Sequence, residues 1–334
     1  MATAGPTTAV LTTDITVNRI ELDSANPYVI AGFFTVNLAT NPENSASLPT
    51  LNAAAGSHQF QANVNLLADT TVDVAAGAEI EFNNRLFLNG HIITKSGGGT
   101  LAINNNVVTG GGTINIAAGT VSGNGTIGGD VTNSGGTTSP GNSPGTLTVD
   151  GNYNQGSGGT LAIEIGGTQP GVEHDVLNVL GDAPLAGTLS VSLIDGFTPG
   201  GGDTFKVLTA AGELTDAGLT LGGSAAGSFT MSIDTTNDWI MLMTAGAGLL
   251  GDYSGNGIVD AADYTIFRDN LGGDSAVLGG NGSGAATVVQ ADYDLWKQNF
   301  GSSGTGSSAA VPEPSSVVLL LGGWLSVLAT RRKA

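Results

Sequence analysis

Asp252 to Asp263 read DYSGNGIVDAAD, a stretch whose oxygen-bearing residues are spaced so that they can converge on one point. Numbered from its own start, the segment carries side-chain oxygens at positions 1 (Asp252), 3 (Ser254), 5 (Asn256), 9 (Asp260) and 12 (Asp263), with Gly257 at position 6 and Ile258 at position 7. A hard cation such as Ca2+ takes six to eight oxygens; glycine at position 6 allows the sharp turn, and position 7 offers its backbone carbonyl. The predicted ligand set is therefore Asp252, Ser254, Asn256, Ile258, Asp260 and Asp263, with Ca2+ as the cofactor. Asp in place of Glu at position 12 shortens the reach of the last ligand without removing it.

A loop of this kind needs elements to hold it, and the residues after it supply them. DYTIFRDNLG (Asp263 to Gly272) and DYDLWKQNFG (Asp292 to Gly301) align without a gap. Tyr264, Phe267 and Leu271 fall at i, i+3, i+7, as do Tyr293, Trp296 and Phe300. The spacing predicts two short helices, each with an aromatic stripe packed on the other. So few residues build little core, and a metal would staple the pair. The loop matches the EF-hand pattern, and loop-helix, loop-helix over Leu250 to Gly301 resembles a type I dockerin domain. The second loop departs from that pattern. Aligned back from Asp292 it runs Asn281, Ser283, Ala285, Ala286, Thr287 and Val289, so positions 5 and 9 lose their oxygens and position 6 its glycine. No strong calcium site is expected there. In dockerins, cohesin recognition rests mainly on positions 10 and 11, here Ala261 and Ala262, then Gln290 and Ala291. These lack the paired hydroxyls of well-known cellulosomal dockerins.

Composition sets the partners. Twenty-eight acidic against nine basic residues give a net charge of −19. Nucleic acid is excluded as a partner, because its phosphates require clustered Lys and Arg. Without cysteine there are no disulfides, and order must come from burial, sheet hydrogen bonds or metal. Glycine contributes 54 residues while 40% of the chain is apolar, a mixture that suits many short strands joined by tight turns rather than disorder or long helices.

From Asp14 to about Ile165 apolar and polar residues alternate in short runs such as TTVDV, EIEF, RLFL, TINI and TLTV, bounded by Gly, Asn or Thr. The hexapeptide GGTLAI occurs at Gly98 to Ile103 and at Gly158 to Ile163, and GTL recurs at Gly145 and Gly187. Near-repeats of one strand-turn unit are what stacked solenoid coils need. LNGHIITKSGGGTLAINN, the SPGNSPG motif at Ser139 to Gly145 and the GTLAIEIGG and HDVLNVLG stretches resemble the strand-repeat passengers of autotransporters and planctomycete-like surface relatives. That resemblance implies a right-handed parallel β-helix. The longer runs after Gly166 (DVLNV, TLSVSLI, DTFKVLTA, DWIMLMT) predict a β-rich sheet capping the solenoid.

The last residues read VPEPSSVVLLLGGWLSVLATRRKA. Pro312, Glu313 and Pro314 precede an apolar run that ends at Arg331, Arg332 and Lys333. As a helix, Ser315 to Thr330 would extend about 24 Å at about 1.5 Å per residue, slightly short of a bilayer core of about 30 Å. It would cross with help from snorkelling arginines, the basic end held in the cytoplasm. The order resembles the PEP-CTERM sorting signal, which implies recognition and cleavage by an exosortase. The opening MATAGPTTAVLTTDITVN has neither a basic n-region nor an apolar h-region. Export therefore predicts a leader upstream or a misassigned start.

Enzyme chemistry on a β-helix needs paired carboxylates, or a base beside a cation, on neighbouring coils. The first 250 residues contain Arg19, Arg85, Lys95 and Lys206 as their cations, with no two close in sequence, and His58, His91 and His174 are scattered. All three histidines read as structural. The domains expected are β-solenoid repeats over 1–165, a β-rich cap over 166–248, a dockerin-like calcium module over 249–301, a Gly/Ser linker over 302–310 and the sorting tail with its transmembrane-type helix over 311–334. The function expected is that of an exported, surface-associated, non-enzymatic structural protein of the envelope or extracellular matrix. The rival readings are an adaptor docking a cohesin-like protein or polysaccharide, and a β-helix polysaccharide lyase or hydrolase.

Overall fold

The computed structural model describes residues 7–105, 107–200, 203–244, 249–279, 281–283, 285 and 287–302. Two compact units divide the chain, one ending at Gly246 and the other beginning at Ala247.

The first unit is mainly β, and its strands recur in threes. β1 (Thr7–Val10), β2 (Ile15–Val17) and β3 (Arg19–Asp23) pair in parallel with Tyr28–Ala31, Thr35–Leu38 and Thr50–Ala55 respectively. Those strands in turn pair with Ser57–Phe60, Asn63–Leu66 and Thr70–Val74. Parallel pairing of each strand with the third one after it is compatible with a β-solenoid, each coil laying three strands on the coil before it. The alternation seen in the sequence has a direct consequence here, because successive side chains leave opposite faces of a strand. Glu79–Phe82 and Thr146–Val149 both read half-buried, buried, half-buried, buried. Inward residues stack in rows: Ile80, Leu101, Val121, Thr138, Leu161 and Leu189 follow one another in register, all buried. Each apolar member contributes about 1.5–3 kcal/mol by burial.

Both copies of GGTLAI lie on the same side of the stack, and the GTL at Gly187 joins them, so Thr100, Thr120, Thr137, Thr160, Thr188 and Thr220 form one outward column. The GTL at Gly145 belongs to another side, where Thr146 pairs with Val176.

Residue 165 does not mark a change of pairing. Val176–Val179, Ala183–Leu193 and Leu214–Gly222 remain in the parallel ladders. Ala183–Leu193 reads as one long strand because it serves two sides, turning at Gly187, where φ is +73° and a Cβ would sit 2.3 Å from the Gly159 carbonyl. Among the described residues, isolated antiparallel bridges such as Gly123–Gly141 occur, and antiparallel ladders form between Trp239–Thr244 and both Thr204–Ala210 and Phe229–Asp234. There Phe205 meets His174, Phe197 and Phe229 edge-on.

Several polar groups inside the stack are satisfied locally. The Tyr153 hydroxyl donates to Gln155 Oε1 and pairs with the Thr138 hydroxyl, each at 2.9 Å, and Gln155 Nε2 donates to the Ala186 and Thr188 carbonyls. Burial pushes the Tyr153 phenol up to about 12. Lys95, the cation that seemed isolated in the sequence, is buried and spends its ammonium on the carbonyls of Ser96 (2.6 Å), Gly97 (2.9 Å) and Ala118 (3.3 Å). Burial lowers its pKa to about 8 against the opposing pull of Asp73.

The second unit holds α1 (Ala261–Asp269) and α2 (Gln290–Asn299). Among the described residues no helix is long and apolar enough to cross a membrane. From residue 303 onward the expected linker, and the whole sorting tail with Pro312, Glu313, Pro314, Arg331 and Arg332, lie outside the described residues.

Candidate calcium site and its twin

α1 starts where the twelve-residue loop ends, and the same residues do both jobs. Asp260 is its N-cap, accepting from the Ala262 amide at 2.7 Å, and Asp263 reaches back to the Asp260 amide at 2.7 Å. An acidic capping box of this kind suits the positive end of a helix. The other oxygen of Asp263 accepts from the Ser254 amide at 2.8 Å, so one carboxylate ties positions 3, 9 and 12 together. Asp252 collects the Asn256 amide (3.1 Å), the Gly257 amide (2.8 Å) and the Ser254 hydroxyl (3.2 Å). Asn256 Oδ1 accepts from the Ile258 amide at 2.8 Å. Gly251, Gly255 and Gly257 take positive φ, which lets the chain fold back on itself.

Asp252 is 3% exposed and Asp263 is fully buried. Among the described residues the ion pairs are Arg19–Glu21, His91–Asp69 and Arg268–Asp269, and none involves these two carboxylates. Burying an anion without a counter-charge is costly. The loop N–H groups offset part of that cost, and a cation would offset the rest. The donor set, three carboxylates with a hydroxyl, an amide oxygen and the Ile258 carbonyl, fits a hard divalent ion. The carboxylates are not gathered into a ready-made centre: among the described residues no group of three or more His, Cys, Asp or Glu converges as a metal cluster would. Asp260 is engaged as a helix cap and Ile258 is 39% exposed.

The second loop repeats this architecture with less charge. Asp292 accepts from the Ser283 amide and from the Val289 amide at 2.7 Å, as Asp263 does from Ser254 and Asp260. Burial works to raise the Asp292 carboxyl, and these donors overcome it, holding it below the usual carboxylate range. At position 1, Asn281 has an amide where Asp252 has a carboxylate, and it donates to the Asp252 carbonyl.

The halves are interlocked. The Gly272 and Gly301 amides donate to the Val288 and Val259 carbonyls at 2.9 and 2.8 Å. In return Val288 and Val259 each donate at 2.9 Å to the residue after the opposite glycine, Gly273 and Ser302. Each loop therefore pairs with the end of the other helix. Trp296 Nε1 donates to the Asp260 carbonyl at 2.8 Å, and the Tyr253 hydroxyl donates to the Asp292 carbonyl. Burial, with Asp292 and Asp263 nearby, pushes the Tyr253 phenol up to about 12.

The expected aromatic stripes do meet. Tyr264 lies 6.1 Å from Tyr293 and 5.1 Å from Trp296, and Phe267 lies 5.7 Å from Tyr293. Leu271 and Phe300, at the ends of the stripes, are more than half exposed. The buried centre is instead Tyr253, Phe267, Leu278 and Val288. Tyr253 belongs to the first loop, Leu278 ends a short 3-10 helix (Ser275–Leu278) and Val288 lies in the second loop, where no helical period marks them.

The histidines occupy structural positions in the first unit. His58 is buried, stacks on Tyr28 at 5.3 Å, and bridges the Tyr28 amide and the Ala55 carbonyl. His174 is buried with Nδ1 3.1 Å from the Gly167 carbonyl, and His91 pairs with Asp69 at 3.4 Å. Asp175, next to His174, is buried and accepts from Gly145 at the end of SPGNSPG (2.8 Å) and from Glu164 (2.9 Å). Burial raises its pKa to about 7. A cavity of about 120 Å3 is lined by Glu21, Leu22, Asp23, Asn52 and Ala54, well below the roughly 300–1,000 Å3 of small-molecule sites.

No protein-family model matches the chain. Over 158 residues it is 31% identical to a protein described as "Adhesin BmaC autotransporter" from Brucella suis biovar 1 (strain 1330). The alignment spans 46% of this chain and 4% of that protein's length.

Proposed function

We propose that this is an exported, surface-associated, non-enzymatic structural protein: an acidic, right-handed β-helix that presents a calcium-stabilised module. The observation that carries the calcium reading is the pair Asp252 and Asp263, buried at the calcium-loop spacing without a cationic partner. The non-enzymatic reading is supported by the isolation of Lys95, His58 and His174 in structural hydrogen bonds. The surface reading is supported by the similarity to an adhesin autotransporter and by net charge −19. The tail around Pro312 to Pro314 is an address removed by an exosortase-type enzyme.

Calorimetric titration of the full-length chain with Ca2+ tests the centre of this reading. One site is expected, lost in Asp252→Ala; two equal sites, no site, or full affinity in Asp252→Ala would refute it. For the tail, intact mass of protein recovered from the producing cell surface should lack everything beyond about Pro314, and retention of Arg331 to Ala334 would refute the sorting reading.

A further inference from the structure

One segment fastens three parts of the first unit together. Between Thr160–Ile165 and Val176–Val179 the chain makes an excursion, Gly166 to Asp175. It closes on itself through the Gly166 amide on the Glu173 carbonyl (2.7 Å) and the Gly171 amide on the His174 carbonyl (2.8 Å). The excursion ends on two consecutive side chains that are both fully buried, His174 and Asp175. Asp175 reaches two other segments: Oδ1 accepts from the Gly145 amide at the end of SPGNSPG, and Oδ2 from the Glu164 amide in the strand before the excursion. His174 packs edge-on against Phe205, 5.4 Å between ring centroids, and Phe205 in turn meets Phe197 and Phe229 at the antiparallel end. Its Nδ1 lies 3.1 Å from the Gly167 carbonyl, and its Nε2 is buried with no hydrogen-bond partner among the described residues.

Neither side chain has a counter-charge. The ion pairs among the described residues are Arg19–Glu21, His91–Asp69 and Arg268–Asp269, and none lies at this junction. The charged groups around the pair are Glu164 beside Asp175, Glu173 beside His174, and Lys206 on the strand that carries Phe205. The Lys206 ammonium sits 5.7 Å over the Trp239 ring, and SPGNSPG brings no titratable group. An ionised Asp175 or a protonated His174 is therefore a buried charge without a partner, whereas the neutral forms are not. Burial accordingly raises Asp175 to about 7 against its two amide donors, and lowers His174 against the pull of the Gly167 and Lys206 carbonyls and of Glu173.

We infer that His174 and Asp175 form a pH-gated latch, which holds the SPGNSPG turn, the excursion and the antiparallel end together while both are neutral and lets the excursion open when either is charged. The two groups act in opposite senses. The folded pKa of Asp175 is raised, so its contribution to closure is lost as pH rises toward about 7. The folded pKa of His174 is lowered, so its contribution is present above the ordinary value of 6.5 and is lost as pH falls below it. Near neutral pH the two losses oppose one another, and removing one group unmasks the other.

Amide exchange of the full-length chain, read by mass spectrometry at about pH 6 and pH 8 and corrected for the intrinsic pH dependence of exchange, tests the latch. His174→Phe keeps a ring against Phe205 but cannot charge. In it, opening at Gly145, Glu164 and the excursion should rise about tenfold from the lower to the higher pH, as follows for a carboxyl at 3.8 when open and about 7 when closed. In Asp175→Asn the sign should reverse, with more opening at the lower pH, and the unaltered chain should fall between the two variants. Exchange at Leu101, in a strand away from the junction, should be the same at both pH values. A pH dependence of the same sign in both variants, a change below twofold in His174→Phe, or equal changes at Leu101 and at the junction would overturn the inference. If His174→Phe does not fold by circular dichroism, His174→Leu takes its place and must show the same rise.

Discussion

Asp263 and Asp292 occupy the same place in the two halves of the C-terminal module, and each holds the amides of positions 3 and 9 of its loop. Around them the halves diverge. Position 1 is Asp252 in one and Asn281 in the other; position 9 is the helix cap Asp260 in one and Val289, which has no side-chain cap, in the other. The comparison separates two tasks that a calcium loop usually combines. The carboxylate at position 12 builds the loop and starts the helix, and it is present in both halves. In the calcium reading proposed above, the charges at positions 1 and 9 would supply the affinity for a cation, and one half has them. In the other, the Asn281 amide hydrogen-bonds to the partner loop directly, a neutral crosslink where the first loop has an anion.

The largest expected effect on this comparison comes from the shared carboxylates. Asp263→Asn should abolish calcium binding by titration, a loss of at least about 100-fold for a carboxylate ligand in a site of this kind. Asn281→Ala should leave the affinity within about threefold, since a neutral residue outside the ligand set contributes no charge to the site. Equal losses in the two variants would erase the distinction between the halves.

Asp292→Asn should destabilise the module by about 2–3 kcal/mol, the typical cost of breaking charge-assisted bonds to buried donors, and by the same amount in calcium and in EDTA. A calcium-dependent cost would mean that the second loop also takes an ion. The two units should also separate by chelation: EDTA should reduce the helical circular-dichroism signal while the β signal persists.

In the first unit the relevant lever is pH rather than metal. Asp175 has its folded pKa raised to about 7 from an ordinary 3.8, so the folded state holds its proton more tightly than the unfolded chain. Stability from this group is fully present below about pH 4 and falls as pH rises toward 7, by up to about 1.4 kcal/mol per pH unit. Asp175→Asn should flatten that part of the denaturation profile, and an unchanged slope would remove Asp175 as its source. The smallest effect is expected for Val289→Asp, which restores a cap to α2. It should add about 1 kcal/mol of stability without creating a second site, because position 5 remains Ala285.

Much of this molecule was written locally. Alternation with period two is itself the statement that every second side chain faces inward, so strands such as Glu79–Phe82 and the repeated GGTLAI units were legible along with the rows they build. The stripes Tyr264/Phe267 and Tyr293/Trp296 were legible for the same reason: helical period is a property of neighbours in the chain. What tertiary structure decided were partners far apart in sequence. Nothing local shows that Lys95 closes over the Ala118 carbonyl, that Asp175 holds Gly145, or that the parallel ladders run on to Gly222. Nor does it show that each loop of the module is pinned by the segment after the other helix. Backbone donors and acceptors are alike at every residue, so which of them meet is set by the stacking of the coils and the packing of the helices, and no residue type announces it.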